Sequence, residues 1–200
     1  MKSITFNRAD EENHFPALIN AVAQHLDFKK WGFSYKIYNA TNKLPPRIIF
    51  QSTLCKIKVH TFRDIRESTP EVIFSYGRTH APHDKGSIIW NNEKCRCWHS
   101  VNNALNFLDG TTPQEVSENS NTHKLIRDFY VGNKNKGWTT AEFVVQAHAI
   151  IWDNYGENLF TLFDLRRPDL WQKYSLYCNQ INDMWNKRLG YTAIPDFKLC

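Results

Sequence analysis

The apolar positions of this chain follow two periods in turn. Phe15, Leu18, Ile19, Val22, Ala23 and Leu26 recur at intervals of three and four. That is the stripe of an amphipathic helix, and it predicts one near residues 15–27 with Pro16 in its first turn. From residue 33 the interval becomes two. Phe33, Tyr35 and Ile37 alternate with their neighbours, and Ile48–Gln51 follows. Cys55, Ile57, Val59 and Thr61 then point one way, and Lys56, Lys58 and His60 the other. Val72, Phe74 and Tyr76 repeat the pattern until Gly77 breaks it. Such alternation marks strands with one buried face, the usual state of an antiparallel sheet. Ile88–Trp90 and Lys94–Trp98 read as a last hairpin around Asn91, Asn92 and Glu93.

Beyond Trp98 the helical spacing returns. Ser100 stands at the N-cap of a helix carrying Val101, Ala104, Leu105 and Leu108, with Asp109 and Gly110 as its stop. Thr112 to Glu115 and Thr139 to Glu142 read as capping boxes, the first with Pro113 at the first helical position. Thr122–Val131 reads as helix and Gly132–Gly137 as linker. The helix after Thr139 carries Phe143, Val144, Ala147, Ile150 and Ile151 and is expected to stop at Gly156, with a short helix at Leu159–Phe163. The last helix carries Trp171, Tyr174, Cys178, Ile181 and Trp185, an aromatic seam for another helix.

Helix, strands, helices: this order predicts an α+β fold, an antiparallel meander sheet of about five or six strands with helices on one face and a C-terminal helical region. Residues 1–131 are expected to form the α+β domain. Residues 138–200 form the helical region packed on it, either within the same domain or as a small bundle beside it.

Composition narrows the function classes. The chain has 200 residues, enough for a core without staples, and 14% of them are aromatic. A net charge of +5 suits anionic partners, but the positive residues are scattered instead of forming the stripe common in nucleic-acid binders. The N-terminal stretch lacks the apolar segment of a signal peptide, and no apolar run is long enough for a membrane helix. Five cysteines, an odd number at irregular spacing, argue against a disulfide framework and for a reducing cytoplasm.

Candidate chemistry gathers in one window. His80 and His83 sit three apart, and Cys95, Cys97 and His99 share one face if their strand is regular. Thiolate and imidazole are zinc ligands, so these five residues are the metal candidates, with zinc the possible cofactor if there is one. Against this, same-face neighbours on a strand are roughly 7 Å apart, which makes joint ligation awkward without a bulge, and cysteine packs well as a small buried hydrophobe. A nucleophilic cysteine beside histidine has no evident orienting third group. Gly77 suggests a bulge or a close backbone approach. Arg78 beside His80 can hold a phosphate or carboxylate, or Arg78 can pair with an acid. Asp164 to Asp169 is a second charged knot, in which Asp164 pairs with an arginine at the bend or Arg166 and Arg167 hold an anion. No nucleotide loop, dinucleotide fingerprint, nucleophile elbow or metalloprotease motif is present.

Three stretches, Tyr76-Gly-Arg-Thr-His-Ala-Pro82, Cys95-Arg-Cys-Trp-His99 and Leu162-Phe-Asp-Leu-Arg-Arg-Pro-Asp-Leu-Trp171, resemble a group of uncharacterised bacterial proteins. The resemblance covers about a fifth of the chain and implies no activity and no functional residue. The leading expectation is a soluble, cytoplasmic, non-catalytic binding or regulatory module. Its expected ligand-binding residues are Tyr76, Arg78, His80, Trp98, His99, Arg166 and Arg167, and its partner is a protein or an anionic small molecule. The alternatives are a metal-dependent hydrolase or nuclease using the His/Cys set, and a nucleic-acid binder using Lys56, Lys58, Arg78 and the Arg166–Arg167 pair, whose affinity would fall steeply with salt.

Overall fold

A computed structural model describes residues 8–41, 44–62, 71–90, 93–116, 121–133, 139–189 and 198–199. Helix α1 (Arg8–His25) opens the fold, and a short 3-10 turn (Phe28–Trp31) leads into the sheet. Strands β1 (Ser34–Tyr38), β2 (Arg47–Gln51), β3 (Cys55–Phe62) and β4 (Glu71–Arg78) form an antiparallel meander. The hairpin of β5 (Ser87–Trp90) and β6 (Glu93–Arg96) leaves that sheet. The fifth strand is β7 (His99–Ser100), which pairs antiparallel with β4. Helices α2 (Val101–Leu108), α3 (Asn121–Asn133), α4 (Thr140–Phe163) and α5 (Pro168–Leu189) follow. A final strand, β8 (Lys198–Leu199), runs parallel to β6 in a second, three-stranded sheet. The fold is α+β, with a five-stranded antiparallel sheet and a C-terminal helical region.

The alternation explains which face is which. Ile48, Phe50, Cys55, Ile57, Val59, Phe74 and Tyr76 point from one sheet face into the main core. There they meet Phe15, Leu18 and Val22 of α1, Val145, Ile151, Trp152, Leu159 and Phe163 of α4, and Trp171, Tyr174, Cys178 and Ile181 of α5. The helices after residue 138 therefore share one hydrophobic core with the sheet. Trp185 stays outside the seam and is exposed.

Several boundaries differ from the sequence reading, each for a packing reason. Helix α1 starts at Arg8, so Pro16 lies inside it, where the missing amide removes one helical bond that the buried stripe outweighs. Gly77 does not end β4, which continues to Arg78. It is the expected close approach: a Cβ there would stand 2.4 Å from the Cys97 carbonyl oxygen and 3.3 Å from the Trp98 ring. Gly156 does not stop α4, which runs unbroken to Phe163; the Trp31 ring occupies the space where a side chain would be. The capping boxes at Thr112 and Thr139 both form, although the first opens only a 3-10 turn. The Ser100 hydroxyl accepts from the Asn102 amide at the head of α2. Residues 91–92 and most of the expected linker, 134–138, lie outside the described residues.

The second sheet face is covered too. Ile49, Ala81, Cys95, Cys97 and Trp98 form a smaller core, with Tyr38 and Ile88 against it. The chain between β4 and β7 folds back over the meander, and this cover creates the site described next. No helix among the described residues is long and apolar enough to cross a membrane.

Candidate functional site

The structure divides the candidate window between the two sheet faces. The expected strand through Trp98 ends at Arg96, because the chain leaves β5 at Cys97 and Trp98 and joins β4 at His99. Cys95, Cys97 and His99 consequently do not share a face. Cys95 and Cys97 are buried in the smaller core, while the His99 ring packs edge-on against Trp171 and Tyr174 in the main one. Cys97 is also disulfide-bonded, where the odd cysteine count argued against a disulfide framework, and a disulfide sulfur is not a thiolate ligand. Cys55, Cys95 and Cys178 are thiols outside any disulfide, and Cys200 lies outside the described residues. Among the described residues no group of three His, Cys, Asp or Glu side chains can hold a metal ion.

Four of the expected ligand-binding positions, Arg78, His99, Arg166 and Arg167, meet around Trp171 and the turn before it. The Arg78 guanidinium lies 4.2 Å over the Trp171 ring, and its Nη2 donates to the Asp164 carbonyl at 3.5 Å. Arg78 is only 8% exposed; burial draws its pKa down to about 10 against the opposing pull of Asp164. Arg166 donates from Nε and Nη2 to the Asp164 carboxylate, which these hydrogen bonds hold at a pKa of about 2. Arg167 stands 3.9 Å from Asp169. The arginines of this knot thus already face carboxylates or an aromatic ring. Tyr76 is fully buried: its hydroxyl contacts His148 Nδ1 at 2.9 Å and accepts from Trp152 Nε1 at 3.1 Å. This is a core hydrogen-bond chain, closed to ligand. Trp98 lies in the smaller core on the other face, where its Nε1 donates to the Pro82 carbonyl at 2.8 Å, and His80, in the turn after β4, feels the charges of both Arg78 and Lys56.

On that second face lies a constellation the sequence reading did not assemble. Arg47 of β2 is directly opposite His60 of β3, and Ile49 is opposite Lys58, so Arg47, Lys58 and His60 share one face. With His83, Asp84 and Lys85 from the loop after β4 they line a cleft of about 80 Å³. Arg47 is only 4% exposed. Its Nε donates to the His83 carbonyl at 3.1 Å, Nη1 to the Pro45 carbonyl at 3.2 Å, and Nη2 contacts His83 Nδ1 at 3.0 Å. Arginine can only donate, so His83 Nδ1 accepts and the ring proton sits on Nε2. The His83 ring stacks on Tyr38 with centroids 4.3 Å apart, and the Arg47 guanidinium is 5.1 Å from the same ring.

Lys58 carries the electrostatics. Its Nζ lies 4.5 Å over the Trp98 ring, and no described carboxylate pairs with it. Burial first, then the neighbouring Arg47, push its pKa down to about 8. His60 falls to about 4, again by burial first and by Lys58 and Arg47 after it, and its buried Nδ1 has no partner. Burial also lowers Arg47, while Asp84 and Tyr38 oppose the shift. A buried arginine and a partly buried lysine therefore sit side by side, each made less comfortable by lost hydration. An anion in the cleft relieves both.

A larger cavity, about 390 Å³, lies between the end of α1 and strands β1 and β2. Of its polar residues, Gln24, Asp27 and Lys29 are exposed surface side chains, while His25 is partly buried and already hydrogen-bonded to Gln146. The sequence did hold a clue to the smaller cleft. Arg47-Ile-Ile-Phe50 is apolar at three successive positions after the arginine, the mark of a strand buried on both faces. The β2–β3 register, which the sequence does not state, then sets Lys58 opposite Ile49 and His60 opposite Arg47 on that covered face. No family model, curated protein or solved structure matches the chain.

Proposed function

We propose that the protein is a non-catalytic binding module whose ligand presents an anionic group to the Arg47–Lys58 cleft. The observation that carries this reading is the pair of cations held together under the β4–β7 cover, among the described residues without a carboxylate between them and with only Asp84 at the margin. Leaving buried charge uncompensated costs stability, so the arrangement fits a purpose beyond folding.

Other observations weigh against the alternatives. The free thiols Cys55 and Cys178 are pushed up by burial, to about 12 and about 11, which suits packing and not nucleophilic attack. The cations expected to form a nucleic-acid surface are split: Lys58 lies on one sheet face and Arg78 is buried on the other. The faces of Tyr38 and Trp98 are taken by His83 and Lys58 and offer no platform for base stacking. We place the module in the cytoplasm on the strength of its free thiols, with the Cys97 disulfide as the observation pulling the other way.

Thermal unfolding in sulfate against chloride at matched ionic strength tests the reading. Sulfate is expected to raise the midpoint of the wild type, approaching about 2.7 kcal/mol of added stability at a hundredfold excess over Kd. Sulfate also stabilises any fold by exclusion from its surface, so Lys58→Met should keep the fold and reduce the difference to that general effect, and an undiminished sulfate effect in that variant refutes the cleft as the site.

A further inference from the structure

We propose that the group held in this cleft is a phosphoryl group, as free phosphate or as a phosphate monoester, and not a carboxylate. The proposal rests on the anion-binding reading above and names its ligand.

Donor geometry is the first argument. Arginine captures a carboxylate through two parallel N–H bonds from one edge of its plane. In Arg47 the edge formed by Nε and Nη2 is already turned to His83, and Nη1 is engaged by Pro45. The cation is thereby a fixed local charge more than an open fork. The remaining groups come from separate elements: the Lys58 ammonium and the His60 ring from β3, and His83 from the loop after β4. Such donors converge from several directions. They match oxygens at the corners of a tetrahedron better than two coplanar ones.

Charge and size agree. Facing the ligand are Arg47, Lys58 and Lys85 as cations, Asp84 as the one carboxylate, and His60 and His83 as the titratable rings. Two positive charges are left uncompensated, and a phosphate monoester carries roughly −1.5 to −2 near neutral pH. The cleft's volume of about 80 Å³ is room for roughly two to three water-sized groups. One phosphoryl group fills it, and any ester substituent stays outside. Neutral His60 can donate to a phosphate oxygen or accept from a P–OH, a pairing that a carboxylate ion offers only in one sense.

Calorimetric titration with inorganic phosphate, methyl phosphate and acetate decides the matter. At about pH 7, phosphate or methyl phosphate is expected to bind at least tenfold more tightly than acetate, and the tighter of the two identifies the free ion or the ester as the source. Raising the pH to about 9 should weaken phosphate binding several-fold, because Lys58 loses its proton through about 8. Lys58→Met should lose the binding, and Lys58→Arg, which keeps the charge, should retain most of it; circular dichroism checks that both fold. Acetate binding as tightly as phosphate, with both lost in Lys58→Met, overturns the phosphoryl assignment and leaves the anion reading standing. Phosphate binding that survives Lys58→Met, or no binding of any probe, overturns both.

Discussion

Tyr76, His148 and Trp152 show how much a single buried side chain can decide. The Tyr76 hydroxyl satisfies two ring nitrogens from α4 in a setting without water, and the His148 ring stacks on Phe74 at 3.7 Å. Burial drives the His148 pKa down to about 3; His99 is at about 3 and His60 at about 4 for the same leading cause. All three are neutral in the folded protein at neutral pH. Above the ordinary value of 6.5 the unfolded chain is neutral at these positions as well, so they leave stability unchanged there. As pH falls below 6.5 the unfolded chain binds protons that the folded one refuses, and stability drops. The slope is up to about 1.4 kcal/mol per pH unit for each histidine. Urea unfolding midpoints should decline steadily between about pH 7 and pH 5, and a flat profile there contradicts the burial of these rings. Gly77 is the other decisive residue. Gly77→Ala forces a methyl group onto the Cys97 carbonyl, a backbone atom that cannot step aside. A loss of about 1–3 kcal/mol is expected by chemical denaturation, and unchanged stability would mean that the β7 approach is looser than described. The sequence showed that this glycine mattered, since it interrupts an alternating run. It could not show what approaches it, because Cys97 lies twenty residues further on.

Elements were legible where local signals repeat. The meander strands β1 to β4 lie close to the runs the alternation predicts, although only β3 alternates cleanly in burial: Tyr35 and Ile37 of β1 are exposed and Arg47–Phe50 of β2 is buried on both faces; Thr139 with Glu142 marks the start of α4 to the residue. The Glu142 carboxylate accepts from both the amide and the hydroxyl of Thr139, bonds that lower its pKa. Thr139→Ala removes the hydroxyl partner and should cost about 1 kcal/mol in equilibrium unfolding; no change would show that α4 is held by packing alone. Reading failed where one residue type has two uses. Gly156 serves as a packing gap for Trp31 inside a continuous helix, and Pro16 lies within α1 instead of opening it. Cys95 to Ser100 likewise looked like the end of one strand and a helix cap. It is two strands in two sheets, because hydrogen-bond partners, not side-chain alternation, determine where a short strand ends.

At the scale of the whole molecule the return of the chain over the meander matters most. It buries Cys97 and Trp98 against Ile49, roofs the Arg47–Lys58 cleft, and brings β8 alongside β6 next to the Cys97 disulfide. Alkylation of the denatured protein without reductant should label Cys55, Cys95 and Cys178 and spare Cys97, and reductant should add Cys97 and the cysteine bonded to it; labelling of Cys97 without reductant contradicts the bond. By itself the sequence determined the α+β class, the meander and most helices, because periodicity and caps are local properties of the chain. Only the tertiary structure decided which face of β3 is in water. Alternation separates Lys58 and His60 from Ile57 and Val59 but says nothing about what later folds across them. That cover turns two ordinary surface cations into a site, since charge becomes demanding of a partner only when water is taken away.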